Sequence, residues 1–246
     1  MSRTSRCRSL TSRGIWKLLK GVVPARQTLP LRYSINAIGG LEPELRHLHR
    51  LGPNSGVALD IGANEGLYSF RLAQLYDRVH AFEINASITE WLRNYRHPKV
   101  EIHDVGLSNR SGSATLYLPI YNGQLLNGWA SLAPENCPNA ERVIERDVQV
   151  RPLDDFQFDN VRFIKADIEG HELSFLQGAS QTLRRNVPNV LIEVKEQNRR
   201  DVQGFFAELN YEEHRLEDLI GIPGSKENYL YICRNSSAKS PDTAEA

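Results

Sequence analysis

Two stretches of this sequence gather glycines and acids at spacings that suit ligand chemistry. In Val57-Ala-Leu-Asp-Ile-Gly-Ala-Asn-Glu-Gly-Leu-Tyr68, Asp60 stands just before a turn punctuated by Gly62 and Gly66. Glycine has no Cβ, so such a turn can take positive φ and let a ligand approach the backbone closely. The dinucleotide fingerprint G-x-G-x-x-G needs its middle glycine for the pyrophosphate, and here that position is Asn64. The Asp60 carboxylate would repel a phosphate but attract a sulfonium or an α-amino group. About twenty residues beyond the turn, where α/β nucleotide folds place the carboxylate that holds the ribose hydroxyls, stands Glu83. The set Asp60, Gly62, Asn64, Gly66 and Glu83 favours S-adenosylmethionine over NAD. The bland alternative is an ordinary strand-to-helix turn with a surface acid.

The second stretch is Val161-Arg-Phe-Ile-Lys-Ala-Asp-Ile-Glu-Gly-His-Glu172, where Asp167, Glu169, His171 and Glu172 crowd into six positions. Such crowding is costly unless some of the groups are used. Glu193 closes the next apolar run. Asp167 and Glu193 on adjacent strand tips suit a general base with an orienting partner, or two oxygen ligands of Mg²⁺, and the sequence does not choose. Asp104, at the end of a third strand, either accepts a hydrogen bond from an adenine amino group or is a solvated acid. Residues 121–139 are rich in Asn, Gly, Pro and aromatics without a period. Such a segment is a binding loop or a mobile one. Tyr121, Asn127, Trp129 and Ser131 are its candidates for an acceptor pocket, with Trp129 equally suited to plugging a core.

The elements that must position these groups follow from periodicity. Val57–Ile61, Val79–Phe82, Val100–Leu107, Val161–Ala166 and Asn189–Val194 read as buried parallel strands. Ala114–Leu118 and Asp147–Leu153 read as further strands, and Tyr211–Leu216 and Tyr229–Cys233 as the last two. Helices are expected at Glu42–Leu51, Ser87–Tyr95, Glu172–Leu183 and Asp201–Leu209, with a linker at Pro24 and Pro30.

The chain of 246 residues has 40% hydrophobic content and no formal net charge. This implies one sizeable domain without an overall bias towards nucleic acid or membrane. Residues 1–40 carry eight Lys or Arg and no acid. They read as a flexible or weakly helical basic arm, with an amphipathic stretch at Ser12–Val22 that could touch an anionic membrane or a partner; the apolar run there is too broken to span a bilayer. Cys7, Cys137 and Cys233 lack ligand or disulfide spacing and suggest a reducing, cytoplasmic setting. Residues 41–235 form the expected domain, and 236–246 a disordered tail.

The strings Leu59-Asp60-Ile-Gly62-Ala-Asn64-Glu-Gly66-Leu-Tyr68 and Ile164-Lys165-Ala-Asp167-Ile-Glu169-Gly170-His-Glu172, with Ala81-Phe82-Glu83, Gly106-Leu107-Ser108 and Leu153-Asp154-Asp155, make the chain resemble the FkbM family of S-adenosylmethionine-dependent methyltransferases. The resemblance runs from about Gly56 to Cys233. It implies an α/β fold: a seven-stranded, mostly parallel Rossmann-like methyltransferase sheet with helices on both faces and an antiparallel last strand. It also implies that Asp60, Gly62, Asn64 and Glu83 belong to the cofactor side, that Asp167, Glu169 and Glu172 face or support the acceptor, and that the acceptor is a sugar, glycan or polyketide hydroxyl. Ile84-Asn85 departs from the proline that often follows the acid in this family. Asp167 is the expected base, assisted by Glu193 or His171. The rival expectations are a non-catalytic S-adenosylmethionine-binding scaffold and, less favoured, an NAD-dependent oxidoreductase.

Overall fold

The computed structural model describes residues 23–39, 42–221 and 227–234. Most of the basic arm, the Ser12–Val22 stretch, Cys7 and the tail lie outside the described residues. The strands, numbered in chain order, are β1 (Val57–Ile61), β2 (Arg78–Phe82), β3 (Val100–His103), β4 (Gly106–Leu107), β5 (Gly112–Tyr121), β6 (Gln124–Leu125), β7 (Arg142–Arg151), β8 (Val161–Ala166), β9 (Asn189–Glu193), β10 (Tyr211–Arg215) and β11 (Asn228–Cys233). Seven of them form one sheet in the order β10-β11-β9-β8-β1-β2-β3. Its interior pairings are parallel, and β11 runs antiparallel to both of its neighbours.

Alternation along the strands splits the core between two faces. Leu59, Ile61, Ile164 and Val190 pack with Phe175, Leu183 and Phe206 on one side. Ala58, Phe163 and Leu191 pack with Leu45, Leu72 and Leu216 on the other. The central strands β1, β8 and β9 are buried on both faces, which is why they read as largely apolar runs. The one charged residue inside strand β8 that is buried, Lys165, is explained by the site described below.

Four departures of the local structure from the sequence expectations are the largest. The linker expected at Pro24 and Pro30 is a helix, Ala25–Gly39, with Pro30 inside it. Proline in a helix interior costs about 3 kcal/mol. Full burial of Leu29 offsets about 1.5–3 kcal/mol of that. Tyr33 against Phe70, 4.9 Å between ring centroids, and Arg32 over the Trp91 ring add further contacts that a sequence pattern does not record. The third strand stops at His103, and Gly106–Leu107 pairs instead with β7 in a separate four-stranded sheet, β4-β7-β5-β6. The helix expected over Glu172–Leu183 breaks into Glu172–Gly178 and Ser180–Asn186. The Ser108 carbonyl oxygen lies 2.0 Å from where a Gly178 Cβ would stand, so only glycine admits that close approach. Finally, Tyr211–Leu216 ends at Arg215 and continues as a short helix, Leu216–Ile220.

Candidate active site

The parallel strands end together, and the carboxyl ends of β1, β2 and β8 border a cleft. This is where open α/β sheets bind ligands. The turn after β1 forms one wall. Its amides at Gly62 and Ala63 both donate to the Phe82 carbonyl, at 2.9 Å each. Gly62 has φ +75, and a Cβ there would lie 1.9 Å from the Asp167 carbonyl oxygen. Glycine is therefore demanded by the join between β1 and β8 as much as by any ligand. Asn64 is itself left-handed, φ 51, and lines the cleft.

Glu83, at the tip of β2, is 6% exposed and faces the cleft. Its two oxygens accept the backbone N–H groups of Asn64 and Asn85, each at 2.8 Å. Burial raises its carboxyl to about 7 in spite of those two bonds. Each oxygen keeps lone-pair capacity for a further donor. Ile84, Ile88, Val105 and Leu107 supply an apolar wall beside it.

The opposite wall carries the acids. Asp167, Glu169 and Glu193 bring one oxygen each within 4.8 Å of one another. Lys195 Nζ lies 2.9 Å from Glu193 and 3.1 Å from Glu169, and Lys165 Nζ lies 3.5 Å from Asp167. Burial, then the field of Asp167, raises Glu169 to about 7 against the pull of Lys195. Glu193 is raised by the same two causes in the same order. Burial works against the Lys165 charge, but Asp167, Asp60 and Glu193 outweigh it and hold its pKa high. Two ammonium groups thus already balance most of the negative charge. The donor set does not fit Mg²⁺ well, because the ion would have to displace Lys195 from two of its three prospective ligands. His171 lines the cleft too; its Nε2 is 3.0 Å from Ser108 Oγ, and burial lowers its pKa.

Several candidates stand elsewhere than the sequence suggests. Asp60 does not line the cleft. It is 1% exposed, on the face of β1 that packs under helix Leu67–Leu75, and accepts a 2.5 Å bond from Ser69 Oγ. Its cross-strand partner is Lys165, so the acid that the sequence offered to a sulfonium answers a buried lysine instead. Gly66 is likewise outside the cleft; it opens that helix at φ 92, and a Cβ there would strike Leu92 at 2.8 Å. Asp104 is exposed and paired with Arg93, because the chain turns off β3 towards helix Glu90–Tyr95, leaving Val105 rather than Asp104 on the cleft wall.

Residues 121–139 do cross the cleft mouth, but through Asn127, Gly128, Ala130 and Leu132. Trp129 is 56% exposed and packs edge-on against Tyr121, whose hydroxyl donates to the Pro138 carbonyl. Ser131 is buried and acts as a brace. Its Oγ donates to the Glu169 carbonyl at 2.6 Å and accepts from Ala133 N and Asn136 Nδ2. Asn136 Nδ2 also reaches the Glu169 carbonyl, at 2.6 Å. These bonds fix Glu169 in its left-handed conformation, φ 45. Glu172, fully buried, receives Gly170 N and Asn198 Nδ2 and supports the same turn.

Sequence reasoning missed Lys165, Lys195 and Asn136. Only Lys165 left a signal, as a charge beside Phe163-Ile164 in a central strand. No helix among the described residues is long and apolar enough to cross a membrane.

A crystal structure of methyltransferase FkbM from Methylobacillus flagellatus is similar at 21% identity, with a TM-score of 0.50, over 85% of this chain and 58% of that one. This chain therefore spans a little over half of that protein's length, and at this identity the likeness speaks for the fold. Precorrin-8W decarboxylase from Methanobacterium thermoautotrophicum (12% identity, TM-score 0.45, 77% of this chain and 89% of that chain) and an rRNA methylase from Streptococcus thermophilus (14%, 0.44, 77% and 92%) are more distant. No curated protein matches the chain. The model of the methyltransferase FkbM domain matches residues 60–220, from the acid of β1 to the end of the helix after β10, and the chain belongs to that family.

Proposed function

We propose that this protein is an S-adenosylmethionine-dependent O-methyltransferase acting on a hydroxyl of a small molecule or glycan, of the sugar or polyketide type, with residues 41–235 as the catalytic unit. The observation that carries the reading is two unlike walls on one cleft: Glu83 beside apolar side chains, and Asp167 and Glu169, with Glu193 within 4.8 Å of both acids. Glu83 accepts the two ribose hydroxyls, and Ile84, Ile88 and Val105 cover the adenine. Gly62 and Asn64 let the cofactor lie close to the backbone. The acids around the cleft outnumber Lys165 and Lys195, which also answer Asp60 and Glu227, and a cofactor carrying a sulfonium and an α-ammonium group complements that negative field.

S-adenosylmethionine supplies the methyl carbon, whose bond to sulfur breaks as the acceptor oxygen bonds to it, leaving a neutral thioether. The chain must hold the acceptor oxygen in line with that carbon and take its proton. Asp167, partly exposed at the tip of β8, accepts the proton or orients the hydroxyl. Glu169, which burial raises to about 7, Glu193 and His171 stand ready to pass it on. Mg²⁺ has no step in this scheme. Cys137 and Cys233 are free, in keeping with a reducing, cytoplasmic setting.

The test is calorimetric titration with S-adenosylhomocysteine and, separately, NAD. Micromolar binding of the first and none of the second is expected, followed by methyl transfer in an acceptor screen begun with glycosides. Binding of neither removes the cofactor reading.

A further inference from the structure

Outside the cleft, the free edge of the sheet brings together three groups that the reaction does not use. Register puts His80 of β2 directly opposite Glu101 of β3, and Phe82 opposite His103. Glu101 and His103 are two apart on an edge strand, so both side chains leave the same face as His80. His80 Nδ1 and His103 Nε2 approach to 3.1 Å. The Glu101 carboxylate spans the pair, with one oxygen 3.5 Å from His80 Nδ1 and the other 3.8 Å from His103 Nε2. Residues of the cleft wall do not include these three.

We infer that His80, Glu101 and His103 form a binding site for a divalent transition metal of the zinc class, with an open coordination position towards solvent. Two imidazoles and one carboxylate are a donor set that suits Zn²⁺ and Co²⁺ rather than Mg²⁺ or Ca²⁺. Two nitrogens bound to one zinc ion at tetrahedral angles stand about 3.3 Å apart, within a few tenths of an ångström of the spacing here. The rings are also held in place. His103 stacks on Phe82 with centroids 4.5 Å apart, and His80 lies 4.2 Å from Phe158. The inner side of the site is apolar, while Glu101, with a side chain 54% exposed, leaves the mouth open. Arg78 Nη1, 3.8 Å from Glu101, is the competing cation; its side chain is 62% exposed, free to withdraw when an ion takes the carboxylate.

The probe is Co²⁺ alone, titrated into the chelator-treated full chain and followed by its visible d–d absorption, with Zn²⁺ as competitor. One equivalent of Co²⁺ with an intense low-symmetry band that Zn²⁺ abolishes is expected. Loss of an outer-shell partner already costs roughly 10–100-fold in metal affinity, so Glu101→Gln, at an exposed position that leaves the fold intact, should weaken binding by at least about tenfold. His103→Ala should abolish the band, and Glu193→Gln should leave it unchanged. Absence of the band, or a band that survives Glu101→Gln and His103→Ala, overturns the site and leaves a simple hydrogen bond between two histidines. A band lost in Glu193→Gln instead assigns the ion to the acids of the cleft and equally overturns it.

Discussion

Glu83 offers the sharpest test of the cofactor reading, because its protonation is tied to what it binds. In the ligand-free chain, burial holds its pKa at about 7, against 4.5 for an unperturbed glutamate. Raised acids carry the reverse of the usual sign: the folded state binds more protons than the unfolded one across this window. The group's contribution is least unfavourable at low pH, and stability falls as pH rises from about 4.5 to about 7, by about 3 kcal/mol in all. Ribose hydroxyls donating to the carboxylate favour its ionised form and pull the pKa down. Binding of S-adenosylhomocysteine should therefore release a proton: about 0.9 per ligand near pH 6, about 0.5 near pH 7 and about 0.1 near pH 8, if the bound pKa drops well below 6. Calorimetry in two buffers of different ionisation enthalpy measures this number directly. Glu169, also at about 7, is the competing source, so Glu169→Gln should retain the release and Glu83→Gln should lose it. The Glu83→Gln variant should also bind about 10–100-fold more weakly, for loss of hydrogen bonds to a charged group. No proton release near pH 7, or the same release in Glu83→Gln as in the parent protein, would refute the assignment of Glu83 to the ribose.

Other substitutions probe the remaining parts of the site. Asp167→Asn should lower kcat by about 10²–10⁴, far more than it weakens S-adenosylhomocysteine binding; unchanged turnover in an acceptor assay would remove Asp167 from proton transfer. Gly62→Ala puts a methyl group 1.9 Å from the Asp167 carbonyl at φ +75, and a loss of about 2–4 kcal/mol in urea denaturation is expected. Lys165→Met leaves Asp60 buried without its cation and should cost about 3–5 kcal/mol, read as a lowered Tm that recovers in part on acidification, as the buried carboxylate takes up a proton. Asp104→Asn, by contrast, should leave ligand affinity within about twofold, since the Asp104 carboxylate answers Arg93 rather than the cleft.

What the sequence could determine was whatever depends on neighbours in the chain. Strand β1, the glycine turn and the acid at the tip of β2 are legible because apolar continuity marks a two-sided buried strand and because a parallel strand ends where its ligand edge begins. That logic located Glu83, Gly62, Asn64, Asp167, Glu169 and His171 at strand tips or turns, and the fold gathers them around one cleft, with Glu193 beside Asp167 and Glu169. The direction of each side chain is a different matter. Asp60 and Glu83 are both acids at strand ends, yet Asp60 alternates onto the helix-covered face and meets Lys165 across the register with β8, a pairing of residues more than a hundred positions apart. Tertiary structure alone also sent Gly106–Leu107 into the second sheet, turned Trp129 outward, spent the Ser131 hydroxyl on the Glu169 carbonyl, and kept Pro30 inside a helix by burying Leu29 beside it. In each case local pattern restricts what a residue can be, whereas its partners are chosen by packing and charge balance between segments that only the folded chain brings into contact.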